Sequence, residues 1–233
     1  MVLDYFEGRR AHEIMERSDG SMGVSNGPQA YFEPFRRWPT PERKAMRYVR
    51  GRVLDVGVGV GRVALHLQER GHDVVGIDTS PLAVEVARRR GVKDARVLAF
   101  KDIGPRLGFF DTVAMMGNNF GLFGSAIGAR RMLRRLAKLT SEHARIVAAS
   151  RNPYGTDDPD HLAYHESNRR QGRMPGQLRL RVRHGRYVGR WFDYLLVSPD
   201  EMESLVKPGG WRIEQLLPDA EPPDYYVGIL RKG

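Results

Sequence analysis

Short apolar runs alternate with helical patterns over residues 52–150, and this alternation limits the folds that the chain can adopt. Strands that alternate with helices of about 10–15 residues are typical of βαβ units, which build a parallel sheet with helices on its faces. The predicted strands cover residues 53–58, 73–78, 95–100, 111–116 and 144–150. The sequence therefore predicts an α/β domain.

Residues 1–50 precede this alternation and have a different character. They combine an amphipathic start with an aromatic cluster, and residues 40–42, Thr-Pro-Glu, have the pattern of a helix N-terminus. The cluster consists of Tyr31, Phe32, Phe35 and Trp38. We interpret residues 1–50 as a helical lid or cap, closed by Tyr5, Tyr31 or Phe32. Aromatic packing alone is the competing interpretation.

The alternation also ends beyond residue 152. Residues 153–176 are polar and rich in Pro and Gly, which predicts a loop or short helices on the surface. A predicted hairpin follows at residues 177–197, and a predicted helix begins at Ser198. Two last strands are predicted at residues 211–217 and 225–231. We therefore predict one domain over residues 51–233, with an insertion and hairpin at about 153–197.

A glycine-rich turn follows the first predicted strand of the alternation. Gly57, Gly59 and Gly61 are spaced G-x-G-x-G, whereas dinucleotide-binding turns use G-x-G-x-x-G to bind a pyrophosphate. Asp55 lies in the preceding strand, where an acid would repel a pyrophosphate and attract a cation. Asp78 ends the next strand, where a carboxylate can accept hydrogen bonds from a ribose. The pattern predicts a site for a cationic nucleoside.

This stretch resembles the first motif of class I S-adenosylmethionine-dependent methyltransferases, and Asp78 resembles their ribose-binding acid. The resemblance is strong over residues 52–150 and looser to the end. It implies a Rossmann-like three-layer sandwich with a mostly parallel seven-stranded sheet and an antiparallel last strand, the 211–231 pair resembling the closing hairpin. Val58 departs from the family pattern, where small or polar residues are frequent.

The resemblance also implies a cofactor and its contacts. S-adenosylmethionine would be the cofactor, with its methionine part held along residues 55–61, which include Asp55, Gly57, Gly59 and Gly61. Asp78 and Thr79 would contact the ribose, and Asp102 and Ile103 would contact the adenine. Asn118 would also contact the cofactor.

The methyl acceptor is expected beside residues 117–123, which follow the fourth strand at the carboxyl edge of the sheet. The two prolines typical of methyltransferases that act on base amino groups are absent there. Asn119, Tyr154 and His165 are candidate acceptor contacts. Because the methyl group is already activated, alignment of the acceptor can suffice. We therefore assign no catalytic residue, although His12, His161 and His165 could serve as a base. We expect no metal, since no His, Asp and Glu cluster has ligand spacing.

Charge and composition leave several function classes open. The chain has 233 residues, a net charge of +10 and no cysteine, which excludes disulfides, thiolate metal sites and a cysteine nucleophile. No secretory signal or membrane-spanning run is visible, so we expect a cytoplasmic protein. Residues 130–190 contain 15 basic and five acidic residues. A small-molecule methyltransferase is the leading interpretation; RNA or protein methylation through the basic region and a non-catalytic cofactor-binding protein are the alternatives.

Overall fold

The computed structural model describes residues 1–25 and 27–233, which form seven α-helices and twelve strands joined by short 3₁₀ turns. The helices are α1 (Val2–Phe6), α2 (Thr40–Ala45), α3 (Arg62–Glu69), α4 (Pro81–Arg89), α5 (Ala126–Lys138), α6 (Pro159–Arg170) and α7 (Pro199–Val206). The strands are β1 (Ile14–Arg17), β2 (Met22–Val24), β3 (Val53–Val56), β4 (Val74–Asp78), β5 (Asp94–Val97), β6 (Phe110–Met115), β7 (Thr140–Arg151), β8 (Gln177–His184), β9 (Tyr187–Val188), β10 (Phe192–Leu195), β11 (Trp211–Pro218) and β12 (Tyr225–Lys232).

The larger sheet has seven strands in the order β11-β12-β7-β6-β3-β4-β5. The pairs from β7 through β5 are parallel, whereas β12 is antiparallel to both of its neighbours. Successive side chains of β3 enter opposite faces of the sheet, because the side-chain period of a strand is two. Leu54 and Val56 join one buried cluster and Val53 joins the other. The predicted α/β sandwich with an antiparallel last strand is confirmed.

The smaller sheet combines the N-terminal segment with the insertion. Its strand order is β10-β8-β1-β2, and β9 pairs with β8. The predicted hairpin lies in this sheet, and β1 and β2 add two strands to the N-terminal segment, which was predicted as a helical lid or cap. Ile14 is paired with Arg183, so β1 forms against a partner nearly 170 residues away in the chain. Glu16 of β1 adds an ion pair to Arg181 at 2.7 Å.

The structure also refines two other predictions. Residues 159–170 form one continuous α-helix, whose first amides are capped by the Asp158 side chain, in a stretch predicted as a loop or short helices. Strand β5 ends at Val97, three residues before its predicted end, because the chain then turns inward as the 3₁₀ helix Phe100–Asp102 and buries Phe100. Over the described residues, no helix has the length and apolar character needed to cross a membrane.

Candidate cofactor and acceptor site

The glycine-rich turn lies where β3 meets α3, at the carboxyl edge of the larger sheet. Gly57 has φ +76°, in the left-handed region that favours glycine. A Cβ atom built on it would lie 2.5 Å from Nδ2 of Asn119. Both the backbone conformation and this close contact therefore disfavour a side chain at position 57. That Asn119 amide donates to the Val56 carbonyl at 2.8 Å. Asn119, predicted as an acceptor contact, thus holds the turn in place.

Asp55 lies at the base of the turn and is only 2% exposed. Its Oδ2 has no hydrogen-bond partner among the residues that the structure describes. Burial raises the pKa of the Asp55 carboxyl to about 7, while the positive charge of Arg62 opposes that rise. A buried, unpaired carboxylate oxygen is costly unless a ligand supplies a donor. Asp55 is therefore a ready partner for a cationic group.

Asp78 lies at the end of β4 beside the same turn. Its carboxylate accepts hydrogen bonds from the Gly59 and Ser80 amides, both at 2.9 Å. Burial raises the pKa of Asp78, and these two amide donors limit the rise. The two bonds fix the carboxylate at the rim of the turn, where a ribose could reach it.

Two cavities, of about 450 and 500 Å³, flank the glycine turn. The first contains Asp55, Gly59 and Arg62 on its wall, and the second contains Thr79, Leu98, Ala99, Phe100 and Lys101. Gly57, Asp78 and Leu122 line both. An elongated ligand that passes over Gly57 and Asp78 could therefore occupy both cavities.

Glu42 of α2 holds two residues of the first cavity's wall, Arg62 and Gly117. It is almost fully buried and accepts hydrogen bonds from the Arg62 guanidinium at 2.8 Å, the Gly117 amide at 2.9 Å and the Tyr225 hydroxyl. The Arg62 guanidinium also stacks 4.4 Å from the ring centre of Trp38. This arrangement fixes the cation beside the carboxylate of Asp55.

Residues from outside the larger sheet complete the wall of the first cavity, and we call them its roof. Glu13, which directly precedes β1, Tyr31 and Val182 of β8 all line it. The Tyr31 hydroxyl donates to Glu13 Oε2 at 2.9 Å. Burial and the Glu13 charge raise the pKa of Tyr31 above its usual value. Of the three predicted lid aromatics, Tyr31 reaches the cavity, whereas Tyr5 packs on Phe32 with ring centres 5.0 Å apart.

Several residues predicted to contact the cofactor lie away from the two cavities. Asp102 is exposed and Ile103 is buried in the core, because β5 ends early and Leu98–Lys101 take the expected place beside the second cavity. Gly61 faces helix α4, and a Cβ atom there would lie 2.4 Å from Val92. The Asn118 carbonyl accepts a hydrogen bond from the Tyr194 hydroxyl at 2.6 Å. These residues support the site from outside the cavity walls.

Tyr154 and His165, predicted as acceptor contacts, also lie outside both cavities. Tyr154 is 44% exposed and donates to Glu201 at 2.6 Å. His165 packs edge-on against its ring at 6.2 Å on the inner face of α6, and burial lowers the histidine pKa. Both residues belong to the insertion, whose cavity-facing elements are β8 and β10 rather than α6.

Sequence reasoning missed Arg62, Glu42 and Glu13. Arg62 directly follows the last glycine of the turn, and this position was an available signal. No local signal marks the other two residues: Glu42 contacts Tyr225, which lies 183 residues further along the chain, and Glu13 reaches the cavity through the pairing of β1 with β8.

Comparisons with known proteins agree with this geometry. A family model described as a methyltransferase domain matches residues 53–143. A Bacteroides fragilis S-adenosylmethionine-dependent methyltransferase, solved in complex with S-adenosyl-L-homocysteine, is 26% identical with a TM-score of 0.83; the match covers 100% of this chain and 92% of that one. The CcbJ methyltransferase of Streptomyces caelestis, 17% identical with a TM-score of 0.62 over 85% of this chain and 94% of its own, shares the fold.

Curated relatives match in part. The magnesium-protoporphyrin O-methyltransferase of Rhodobacter capsulatus is 36% identical over 100 residues, which are 41% of this chain and 43% of that protein. The chain thus spans less than half of the length of the curated relatives that it matches. The matched region holds β3, the glycine turn and Asp78, and the structural match extends over the whole chain. Residues 53–143 thus form a methyltransferase domain, and the chain is similar over its whole length to an S-adenosylmethionine-dependent methyltransferase.

Proposed function

We propose that this chain transfers the methyl group of its cofactor, S-adenosylmethionine, to a small-molecule acceptor in the first cavity. The observation that carries the proposal is the unpaired Oδ2 of Asp55, buried at the wall of a cavity that continues over Gly57 and Asp78. The methionine ammonium would satisfy this oxygen, and Arg62 would face the methionine carboxylate. Such a zwitterion fits a carboxylate and a guanidinium held side by side.

The rest of the cofactor would extend along the cavity walls. Asp78 would accept hydrogen bonds from the ribose, and the adenine would lie in the second cavity between Leu98 and Leu122. We transfer the adenine contacts from Asp102 and Ile103 to residues 98–101 because these line the cavity. When bound, the cofactor supplies a methyl group activated by a sulfonium. The chain's own contribution is then to orient the acceptor and exclude water under the roof formed by Glu13 and Tyr31.

The size of the first cavity supports a small-molecule acceptor. Glu13, Tyr31 and Val182 line it together with the glycine turn, and its volume of about 450 Å³ is typical of small-ligand sites. The named activity of the Rhodobacter capsulatus relative, magnesium-protoporphyrin O-methylation, is also on a small molecule.

Replacing Asp78 by alanine is expected to weaken S-adenosylmethionine binding about 10- to 100-fold, since a hydrogen bond to a charged group contributes roughly 1.5–3 kcal/mol. Calorimetric titration with S-adenosylmethionine and S-adenosylhomocysteine measures the effect. Asp73→Ala is the matched control, because Asp73 directly precedes the same strand and is exposed in an ion pair with Arg52. Equal affinities for wild type and Asp78→Ala would contradict the proposal. Tight binding without turnover on amines, phenols or carboxylic acids would favour a non-catalytic cofactor-binding protein.

RNA methylation is the less favoured alternative because the basic region is partly neutralised. Arg169, Arg179, Arg181 and Arg183 all form ion pairs with nearby carboxylates. We expect a short single-stranded RNA to bind weakly at about 150 mM salt, since paired arginines release few counterions. Fluorescence anisotropy over a salt series checks this expectation. Submicromolar binding at that salt, with a steep salt slope, would support RNA as the acceptor.

A further inference from the structure

We infer that the Glu13–Tyr31 pair is the recognition subsite for the acceptor and that the acceptor carries a basic amine. The inference rests on the proposed function and adds the chemical class of the second substrate. The pair lines the first cavity together with the glycine turn that would hold the cofactor. The proposed cofactor contacts involve neither Glu13 nor Tyr31.

Glu13 is placed to bind a cation. It is 5% exposed, and its side chain reaches the cavity from the residue before β1. Tyr31 donates one hydrogen bond to Oε2, whereas an ionised carboxylate can accept about four. Lone pairs therefore remain for a ligand donor. Lysine and glutamate are seldom buried unless they are paired, so a charged partner in the cavity would offset the cost of burying Glu13.

The charges around the cavity favour a cationic acceptor over a neutral or anionic one. Glu13, Asp55 and Asp78 line the first cavity. The guanidinium of Arg62 is already paired with Glu42 at 2.8 Å, and the Met1 ammonium is paired with Asp4 at 3.2 Å. With Asp55 ionised beside the cofactor ammonium, the three carboxylates exceed the single net positive charge of the bound cofactor. An ammonium beside Glu13 would reduce this excess, and an acceptor carboxylate would increase it.

The unpaired oxygen of Asp55 indicates that the first cavity binds a ligand, because burying a carboxylate oxygen without a hydrogen-bond donor is costly. This carboxylate is nearly fully buried and would be satisfied by the cofactor ammonium. Glu13 lines the same cavity from the segment that leads into β1, far along the chain from β3, so its carboxylate can contact a second ligand group. Asp55 would therefore contact the cofactor, and Glu13 would contact the acceptor.

Glu13→Gln separates charge recognition from a merely structural role. A glutamine at position 13 can still accept the Tyr31 hydrogen bond, so the roof keeps this contact and loses only the charge. Glu16→Gln is the matched control: Glu16 is a buried glutamate on the neighbouring strand β1, but its carboxylate is paired with Arg181 and Arg183. Thermal unfolding of both variants shows whether the roof remains folded.

The experiment compares benzylamine, benzyl alcohol and benzoate, which share a ring and differ in charge, as ligands of protein saturated with S-adenosylhomocysteine at pH 7. NMR titration is expected to give about tenfold tighter binding of benzylamine than of the other two for wild type and Glu16→Gln, and no preference for Glu13→Gln. Equal binding of the three probes by wild type, or a preference retained in Glu13→Gln, would overturn the amine assignment alone. Failure of S-adenosylhomocysteine itself to bind would overturn the proposed function as well.

Discussion

Asp55→Asn is expected to abolish most cofactor affinity while making the free protein more stable above pH 7. The wild-type carboxyl has a pKa of about 7 in the folded chain, against about 4 when unfolded, because burial disfavours its charged form. Between these values the folded state binds more protons than the unfolded state. The free energy of unfolding therefore falls as pH rises through this window, by at most about 4 kcal/mol. Asparagine removes this loss and also removes the partner of the ammonium.

Urea unfolding of the cofactor-free protein at pH 5 and pH 8 measures the stability effect, and calorimetry measures the affinity. The difference between Asp55→Asn and wild type should grow with pH, and wild-type affinity for S-adenosylmethionine should rise from pH 6 to pH 8 as Asp55 ionises. Asp111→Asn is the control: it should lower the free energy of unfolding by a similar amount at pH 5 and pH 8, because a lowered pKa keeps Asp111 ionised over this whole range. Its carboxylate accepts hydrogen bonds from the Arg52 amide and the Ser141 hydroxyl, which lower its pKa. A pH-independent gain for Asp55→Asn would contradict the charge argument.

The parts of the site that could be predicted are encoded by residues close together in the chain. The strand, the glycines and the start of α3 lie within residues 53–62, so the local pattern alone predicted the turn. Asp78 was predictable for the same reason, because it ends the next strand in register with β3. The predicted adenine contacts show that a small error in one strand boundary changes which residues are expected at the site. An end of β5 three residues earlier than predicted moves the cavity wall from residues 102–103 to 98–101.

The roof could not be predicted in the same way, because long-range pairing creates it. Strand β1 has four residues, and its pairing with β8 gives it a structure that its own sequence specifies weakly. The aromatic cluster predicted a lid closed by Tyr5, Tyr31 or Phe32, and of these Tyr31 lines the first cavity. Its partner Glu13 gave no comparable signal, since an isolated glutamate in a polar stretch is ordinarily solvated.

Glu42→Ala should cause the largest loss of stability among single substitutions near the site, about 3–5 kcal/mol. Glu42 is buried and joins three elements through Arg62, the Gly117 amide and the Tyr225 hydroxyl. Alanine would leave the guanidinium half-buried without its carboxylate and two further donors without their acceptor. Removing one partner of a buried ion pair costs far more than the pair contributes, because the remaining charge stays desolvated.

The loss should also reach the cofactor site. Glu42 fixes the guanidinium beside Asp55, so its removal frees Arg62 to move away from the methionine end of the cavity. Glu69→Ala, on the exposed side of α3, is the matched control and should change stability by less than about 0.5 kcal/mol. Urea unfolding with and without S-adenosylmethionine tests both effects. If the Glu42→Ala protein were as stable as Glu69→Ala, the prediction would be wrong: Tyr225 and Arg62 would not depend on the Glu42 carboxylate for their hydrogen bonds.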